Sequence, residues 1–323
     1  MKSWIKKLSA LGLGLLFSLF LLELILRAAP LFFLQAPFPK SDPKAYRIVC
    51  VGDSSTYGLG VDPEKNSYPV VLQALLSQEN KTSIQVFNLG LPGINSSQAL
   101  ERLRKNAGIL KPNLILIGVG INDPWNLEGS DLLKNYSESS GSVVEKWKLG
   151  FLRWIQKSKL RRFVKLLLMQ KDFLKNAEPC PEFNAQTVEK NNRLLPDIEK
   201  QNAALRETLR QNFLKFTQIA AEQHAQIFFL ECHAPGWHNP EQIIHALYQE
   251  LNLNVIPVFD VFQAADAHSV PIRSKDNWHP NEAGYRLLAE LVCAALHSKI
   301  PVHTKMFDAS QENWKKRVEV ADE

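Results

Sequence analysis

Short apolar, β-rich runs recur five times along the chain, at 47–51, 84–87, 114–119, 226–231 and 255–259. Between them apolar positions return at helical spacing in 68–76, 97–107, a long stretch from about 187 to 222, and 242–251. Strands alternating with helices predict a parallel sheet covered on both faces, which is the α/β class. In open sheets of this kind, ligands bind outside the carboxyl ends of the strands, so the residues following each run carry the interest.

Those residues are polar or glycine nearly every time. The first run leads into Gly52-Asp53-Ser54, the second into Asn88-Leu89-Gly90, and the third into Gly120-Ile121-Asn122-Asp123. The fourth reaches Cys232-His233 and the fifth stops at Asp260. Near the end, Asp276-Asn277-Trp278-His279 stands before one more helical pattern. Pro280 disfavours helical geometry at His279, and Asn281 can cap the helix that begins after it. His279 is therefore expected in a loop at a helix entrance.

The amino terminus has a different pattern. Residues 8–26 are apolar apart from Ser9, Ser18 and Glu23, a stretch of 19 that approaches the roughly 20 needed to cross a bilayer as a helix. Lys2, Lys6 and Lys7 precede it, which predicts a cytoplasmic amino terminus with the remainder on the far side. Arg27, one turn beyond Glu23, can pair with it. A cleaved signal peptide fits less well, because the run is long and Arg27 spoils the small-residue site at Ala28-Ala29. The expectation is a single-pass anchor over 1–35, a main domain over 36–305 with a basic helical insertion at about 125–185, and a polar tail over 306–323.

Composition alters this picture in one place. The formal charge is +5, yet ten Lys or Arg against the single acid Asp172 lie between 146 and 175, so the rest of the chain is slightly acidic. That argues against a nucleic-acid-binding protein, whose basic residues are expected over a reading surface of the main domain. Within the basic stretch, Phe151, Trp154 and Ile155, then Leu160, Phe163, Val164, Leu167 and Leu168, follow helical steps with a break near Ser158. Such a segment fits an anionic membrane surface, a helical pair packed on the sheet, or a lid over the site. The four cysteines, Cys50, Cys180, Cys232 and Cys293, are too widely spaced for a disulfide framework and read mainly as buried thiols. His233 and His238 beside Cys232 fall short of a complete zinc ligand set, so no metal or other cofactor is expected.

A serine hydroxyl becomes nucleophilic only when a positioned base removes its proton. His279 can be that base, and Asp276 three residues earlier can hold its other ring nitrogen. The nucleophile elbow of the α/β-hydrolases, G-x-S-x-G, is absent, since the turn reads Gly52-Asp53-Ser54-Ser55-Thr56. The order of motifs instead resembles the GDSL-like lipase/esterase family, or SGNH hydrolases, over roughly residues 45 to 298. It carries a GDS turn, then Gly93 in "NLGLPGINSSQ", then the GxND stretch ending in Asn122-Asp123, and last Asp276-x-x-His279. The resemblance implies a flavodoxin-like three-layer α/β/α sandwich with a mainly parallel five-stranded sheet. It also implies Ser54, Asp276 and His279 as the catalytic set, with the Ser54 and Gly93 backbone amides and the Asn122 side chain as oxyanion donors.

Three functions use this set differently. The leading expectation is a membrane-anchored, extracytoplasmic serine esterase acting on an acyl ester of a carbohydrate or lipid. The second is an O-acyltransferase in which a polymer hydroxyl replaces water, served by a membrane acyl-donor protein. The third is a non-catalytic binding protein on the same fold.

Overall fold

The computed structural model describes residues 2–33, 42, 44–79, 83–139, 142–156, 158, 160, 191, 194–233 and 238–296. Backbone contacts divide the chain into two compact units, Met1–Pro39 with Ser140–Cys180, and Lys40–Ser139 with Pro181–Glu323.

The first unit holds helix α1 (Lys2–Phe33) and an amphipathic helix from the insertion, Val143–Gln156. The apolar run forms part of α1. Among the described residues, however, no helix is long and apolar enough to cross a membrane, so the transmembrane element read from the sequence is not shown by the fold. Glu23 bonds to the insertion: its Oε2 accepts from Ser158 Oγ at 2.9 Å and from Leu160 N–H at 2.8 Å. The side chain of Arg27, its expected partner, lies outside the described residues. The insertion helix stops at Gln156, and Ser158 is non-helical, where the sequence pattern breaks. One face of it exposes Trp147, Phe151 and Trp154, which with Lys146 and Gly150 line an open groove of about 440 Å³. The later apolar positions of the pattern, from Phe163 to Leu168, lie outside the described residues, as does the 306–323 tail.

The second unit is an α/β sandwich. Its strands are β1 (Tyr46–Gly52), β2 (Ile84–Asn88), β3 (Leu114–Gly118), β4 (Gln226–Leu230) and β5 (Val255–Ile256). They pair in parallel in the order β2-β1-β3-β4-β5, which is the flavodoxin-like order with its switch point between β1 and β3. Side chains alternate across the sheet as the period of two requires. Ile48 and Cys50 of β1, with Leu114 and Leu116 of β3, enter a core shared with Tyr68, Leu72 and Leu76 and with Tyr285, Leu288 and Val292. Those residues belong to the helices Tyr68–Glu79 and Glu282–Leu296, which pack together on this face. On the other face the helices Ser96–Leu110 and Ile198–Glu222 pack together, and Phe213 of the latter meets Phe229 of β4 at 5.1 Å between ring centroids. Cys50 and Cys293 are buried, and burial pushes the Cys50 thiol up to about 12, so it stays protonated and inert as a nucleophile. Cys180 lies outside the described residues.

Two predicted elements change their bounds for local reasons. The long helix starts at Ile198 rather than near 187, because Pro196 breaks the pattern and Asp197 caps a new start by accepting from Lys200 N–H at 3.1 Å. The fifth strand ends at Ile256, before Pro257, and Asp260 falls in the first turn of the helix Phe259–Ala267. The Glu231 carboxylate sets that start by accepting from the Val258 and Phe259 N–H groups at 3.1 and 3.0 Å.

Candidate active site

Strand β1 ends in a tight turn that places Ser54 as the first residue of a one-turn helix, Ser54–Tyr57. Asp53 caps this helix, accepting from Ser55 N–H at 3.1 Å, and Gly58 closes it in the left-handed region at φ 100°. The turn has no room for a side chain at position 52. A Cβ on Gly52 would lie 2.0 Å from Thr56 Oγ1 and 2.6 Å from the Gly118 carbonyl oxygen. Amide groups in the first turn of a helix have no intrahelical acceptor, so the Ser54 N–H is of the type that can serve a bound oxygen.

The second partner arrives 225 residues later. His279 Nε2 stands 2.9 Å from Ser54 Oγ, and His279 Nδ1 stands 2.5 Å from Asp276 Oδ2. The other carboxylate oxygen of Asp276 builds the loop itself, accepting from the N–H groups of Trp278 (2.9 Å) and His279 (3.0 Å) and from Ser274 Oγ (2.7 Å). Partial burial pushes the Asp276 pKa up, but these hydrogen bonds, led by that of the His279 ring, outweigh it and hold the carboxyl well below its usual range. Asp276 is thus ionised wherever His279 can work as a base. Asn281 secures the end of the loop: its Nδ2 donates to the Pro271 carbonyl at 2.7 Å, and its Oδ1 caps the last helix through Gly284 N–H at 3.0 Å.

Arg273 braces the same loop from behind. Its guanidinium donates to Asp266, to the Trp278 carbonyl at 3.2 Å, and to the His233 carbonyl at 2.7 Å, and it lies over the Phe262 ring. His233 Nδ1 is 3.1 Å from Arg273 Nη1, so the arginine pairs with a neutral ring. Burial first, then the positive charges of Arg273 and His279, lower the His233 pKa to about 3. Among the described residues, no group of three or more His, Cys, Asp or Glu could hold a metal ion.

The third strand delivers Asn122. Its side chain is buried, with Nδ2 at 3.3 Å from Asp53 Oδ2 and 3.2 Å from the Ile94 carbonyl oxygen. Gly93 lies in the neighbouring loop with φ 69°, a left-handed backbone where an L side chain is strained. Asp53 therefore has two tasks, capping the Ser54 helix with one oxygen and holding Asn122 with the other. In the sequence, its place in the GDS triplet is the signal that points to it.

Asp123 is a second residue whose role appears only in the structure. It is fully buried and accepts from Ser96 N–H at 2.8 Å and from Ser96 Oγ at 2.5 Å. Asn212 Nδ2 donates to the same hydroxyl at 2.8 Å, so the Asn122 loop is tied to two helices. Burial raises the Asp123 pKa to about 7 against the opposing pull of the Ser96 bonds. Between its ordinary 3.8 and about 7, the folded chain holds a proton that the unfolded chain releases, so this group's contribution to stability falls as pH rises through that window. An Asp123→Asn variant escapes the loss. Its Tm relative to the wild type is expected to climb from pH 4 to 7 and then level off, as calorimetry across that range would record.

Ser54, His279 and Asp276 thus meet where β1, β3 and the 273–281 loop converge, with Asn122 alongside. That constellation can perform acyl transfer. The model for GDSL-like lipase/acylhydrolase matches residues 48–292. An acetylxylan esterase from Xylanibacter ruminicola is 25% identical over 280 residues, covering 80% of this chain. The chain spans less than half the length of that curated relative, 44% of it. Among solved structures, a lipase/acylhydrolase from Enterococcus faecalis superposes with a TM-score of 0.45 at 16% identity, covering 81% of this chain and 99% of the other. A catalytic mutant of an acetylxylan esterase from Geobacillus stearothermophilus gives 0.46 at 14%, covering 82% and 99%. By the extent of the matched region, the chain belongs to the GDSL-like lipase/acylhydrolase family of serine ester hydrolases.

Proposed function

We propose that the chain is an extracytoplasmic esterase, held at the membrane by its amino-terminal segment, that removes acetyl groups from a carbohydrate through an acyl-serine intermediate. The observation that carries the chemistry is the 2.9 Å separation of His279 Nε2 and Ser54 Oγ, with Asp276 on the far ring nitrogen. The choice of a carbohydrate acetyl ester is supported by the name of the Xylanibacter relative. Membrane placement is supported by the sequence, through the lysines at 2, 6 and 7 and the apolar run after them.

In this mechanism Ser54 Oγ bonds to the ester carbonyl carbon while its proton passes to His279 Nε2, and the carbonyl oxygen takes the negative charge. The Ser54 and Gly93 N–H groups and Asn122 Nδ2 receive that oxygen. Collapse breaks the bond to the alcohol oxygen, which leaves with the proton from His279. Water then gives a proton to His279 and attacks the acyl carbon, and Ser54 recovers its proton as acetate departs. Asp276 stays ionised and steadies the charged ring throughout.

The full chain, dispersed in detergent, tests this with acetylated xylo-oligosaccharides and with p-nitrophenyl esters from acetyl to long-chain. The reading expects acetate release and a preference for the acetyl ester. Preference for long chains would replace it with a lipase, and acetyl transfer to an added sugar in excess of hydrolysis would replace it with a transferase. Asn122→Ala is expected to lower kcat by about 10²–10³ while KM changes little, since its amide acts on charge that develops in the transition state. Steady-state kinetics on p-nitrophenyl acetate would check this.

A further inference from the structure

An oxyanion donor on an asparagine side chain carries an inherent ambiguity. The two ends of a carboxamide have nearly the same shape, but only the NH₂ end stabilises an oxyanion; the oxygen end repels it. The loop after Asn122 resolves this. Trp125 Nε1 donates to Asn122 Oδ1 at 3.0 Å. An indole nitrogen is a donor only, so it accepts no other orientation of the amide. Of the three hydrogen bonds to this side chain it is the shortest, the others being the 3.2 and 3.3 Å bonds from Nδ2. The two Nδ2 acceptors, a carboxylate and a carbonyl, favour the same orientation, but one of them is given up when Nδ2 turns a hydrogen to a substrate oxygen, whereas the Trp125 bond to Oδ1 is kept.

The same turn reaches the second candidate donor. Asn126 Nδ2 donates to the Gly93 carbonyl at 2.6 Å, and the Trp125 ring lies 3.2 Å from where a Cβ on Gly93 would stand. Trp125 is itself held, since Asn191 Nδ2 donates to its carbonyl at 2.6 Å and its N–H reaches the Asn122 carbonyl at 3.3 Å. The Asn126 N–H also bonds to the Asn122 carbonyl, at 2.8 Å. Asn122 and Gly93, which come from different loops, therefore share one support.

We infer that Trp125 is a positioning residue for the oxyanion hole, acting through Asn122 by fixing which end of its amide faces the substrate. This rests on the proposed esterase reaction, so wild type and Ser54→Ala are measured in the same assay; without serine-dependent hydrolysis, that reading fails before this one is reached.

The test is a double-mutant cycle on p-nitrophenyl acetate hydrolysis with Trp125→Phe and Asn122→Ala, each variant's Tm being recorded. Trp125→Phe removes the N–H and is expected to lower kcat about tenfold with KM within about twofold, the size of effect given by losing one hydrogen bond. In the Asn122→Ala background the same change is expected to cost less than about twofold, because residues acting through one another are not additive. A tenfold loss in both backgrounds would assign Trp125 a structural role independent of Asn122, and an unchanged kcat in the wild-type background would remove it from the machinery. Should Trp125→Phe fold poorly, benzothienylalanine at position 125 keeps the ring shape and replaces N–H with sulfur. The same tenfold loss of kcat is expected from it, and full activity would overturn the inference.

Discussion

Ser54→Ala is expected to lower kcat for p-nitrophenyl acetate by about 10⁶-fold, the scale seen when a serine hydrolase loses its nucleophile, and to leave Tm within a few degrees of the wild type. The two outcomes separate because Ser54 Oγ contributes little to the fold. Its hydrogen-bond partner is His279 Nε2, while the cap of the Ser54–Tyr57 helix comes from Asp53 and its closure from Gly58. Alanine also has the higher helix propensity. The neighbouring hydroxyls do not substitute. Thr56 is almost fully buried under the turn, and Ser55, next along the same helix turn, is not the residue that meets His279. Rates and thermal melts of the purified variants decide the matter, and retention of more than about a hundredth of the wild-type rate would remove Ser54 from the chemistry.

Asp276→Asn is expected to cost about 10⁴ in kcat, and the reason is a tautomer rather than a lost charge alone. Asp276 Oδ1 accepts from three loop groups, so an asparagine keeps its carbonyl oxygen there and turns its NH₂ toward His279. A donor facing Nδ1 forces the ring to place its own hydrogen on Nε2, pointing at Ser54 Oγ. The imidazole then cannot take the serine proton. The loop should survive, since its three hydrogen bonds to Oδ1 remain, so the variant should fold and bind substrate with a near-normal KM. Kinetics alongside circular dichroism would check both halves, and a loss below tenfold would show that the carboxylate does not control the ring.

Much of this is legible in the chain because the signals are local. Strand β1 and the turn after it read together, since an apolar run ending in Gly52-Asp53-Ser54 is continuous in sequence, and Asp276 and His279 are separated by one loop turn. Helix starts are less legible. The Ser96–Leu110 helix begins ahead of the expected 97 because Asn95 and Gln98 form a reciprocal capping box, a signal that periodicity does not weigh. Pro196 and Pro257 likewise mark breaks that periodicity alone runs through. The hidden part depends on partners far apart in sequence. Asp53 meets Asn122 across 69 positions and Asn212 meets Ser96 across 116, and no spacing rule announces such pairs. The amino-terminal segment shows the opposite failure. Its hydropathy is plain, yet Glu23 within it is bonded to the insertion, a partner that no local reading proposes.

In the proposed reaction the acyl group passes through Ser54. The most direct measurement is to quench the full chain in acid during turnover of p-nitrophenyl acetate, digest it, and locate the acetyl group by mass spectrometry. Acetyl is expected on the peptide containing Ser54, attached at that residue and missing from Ser54→Ala. Acetyl on a different residue, or undiminished turnover by Ser54→Ala with no acetylated peptide, would contradict it.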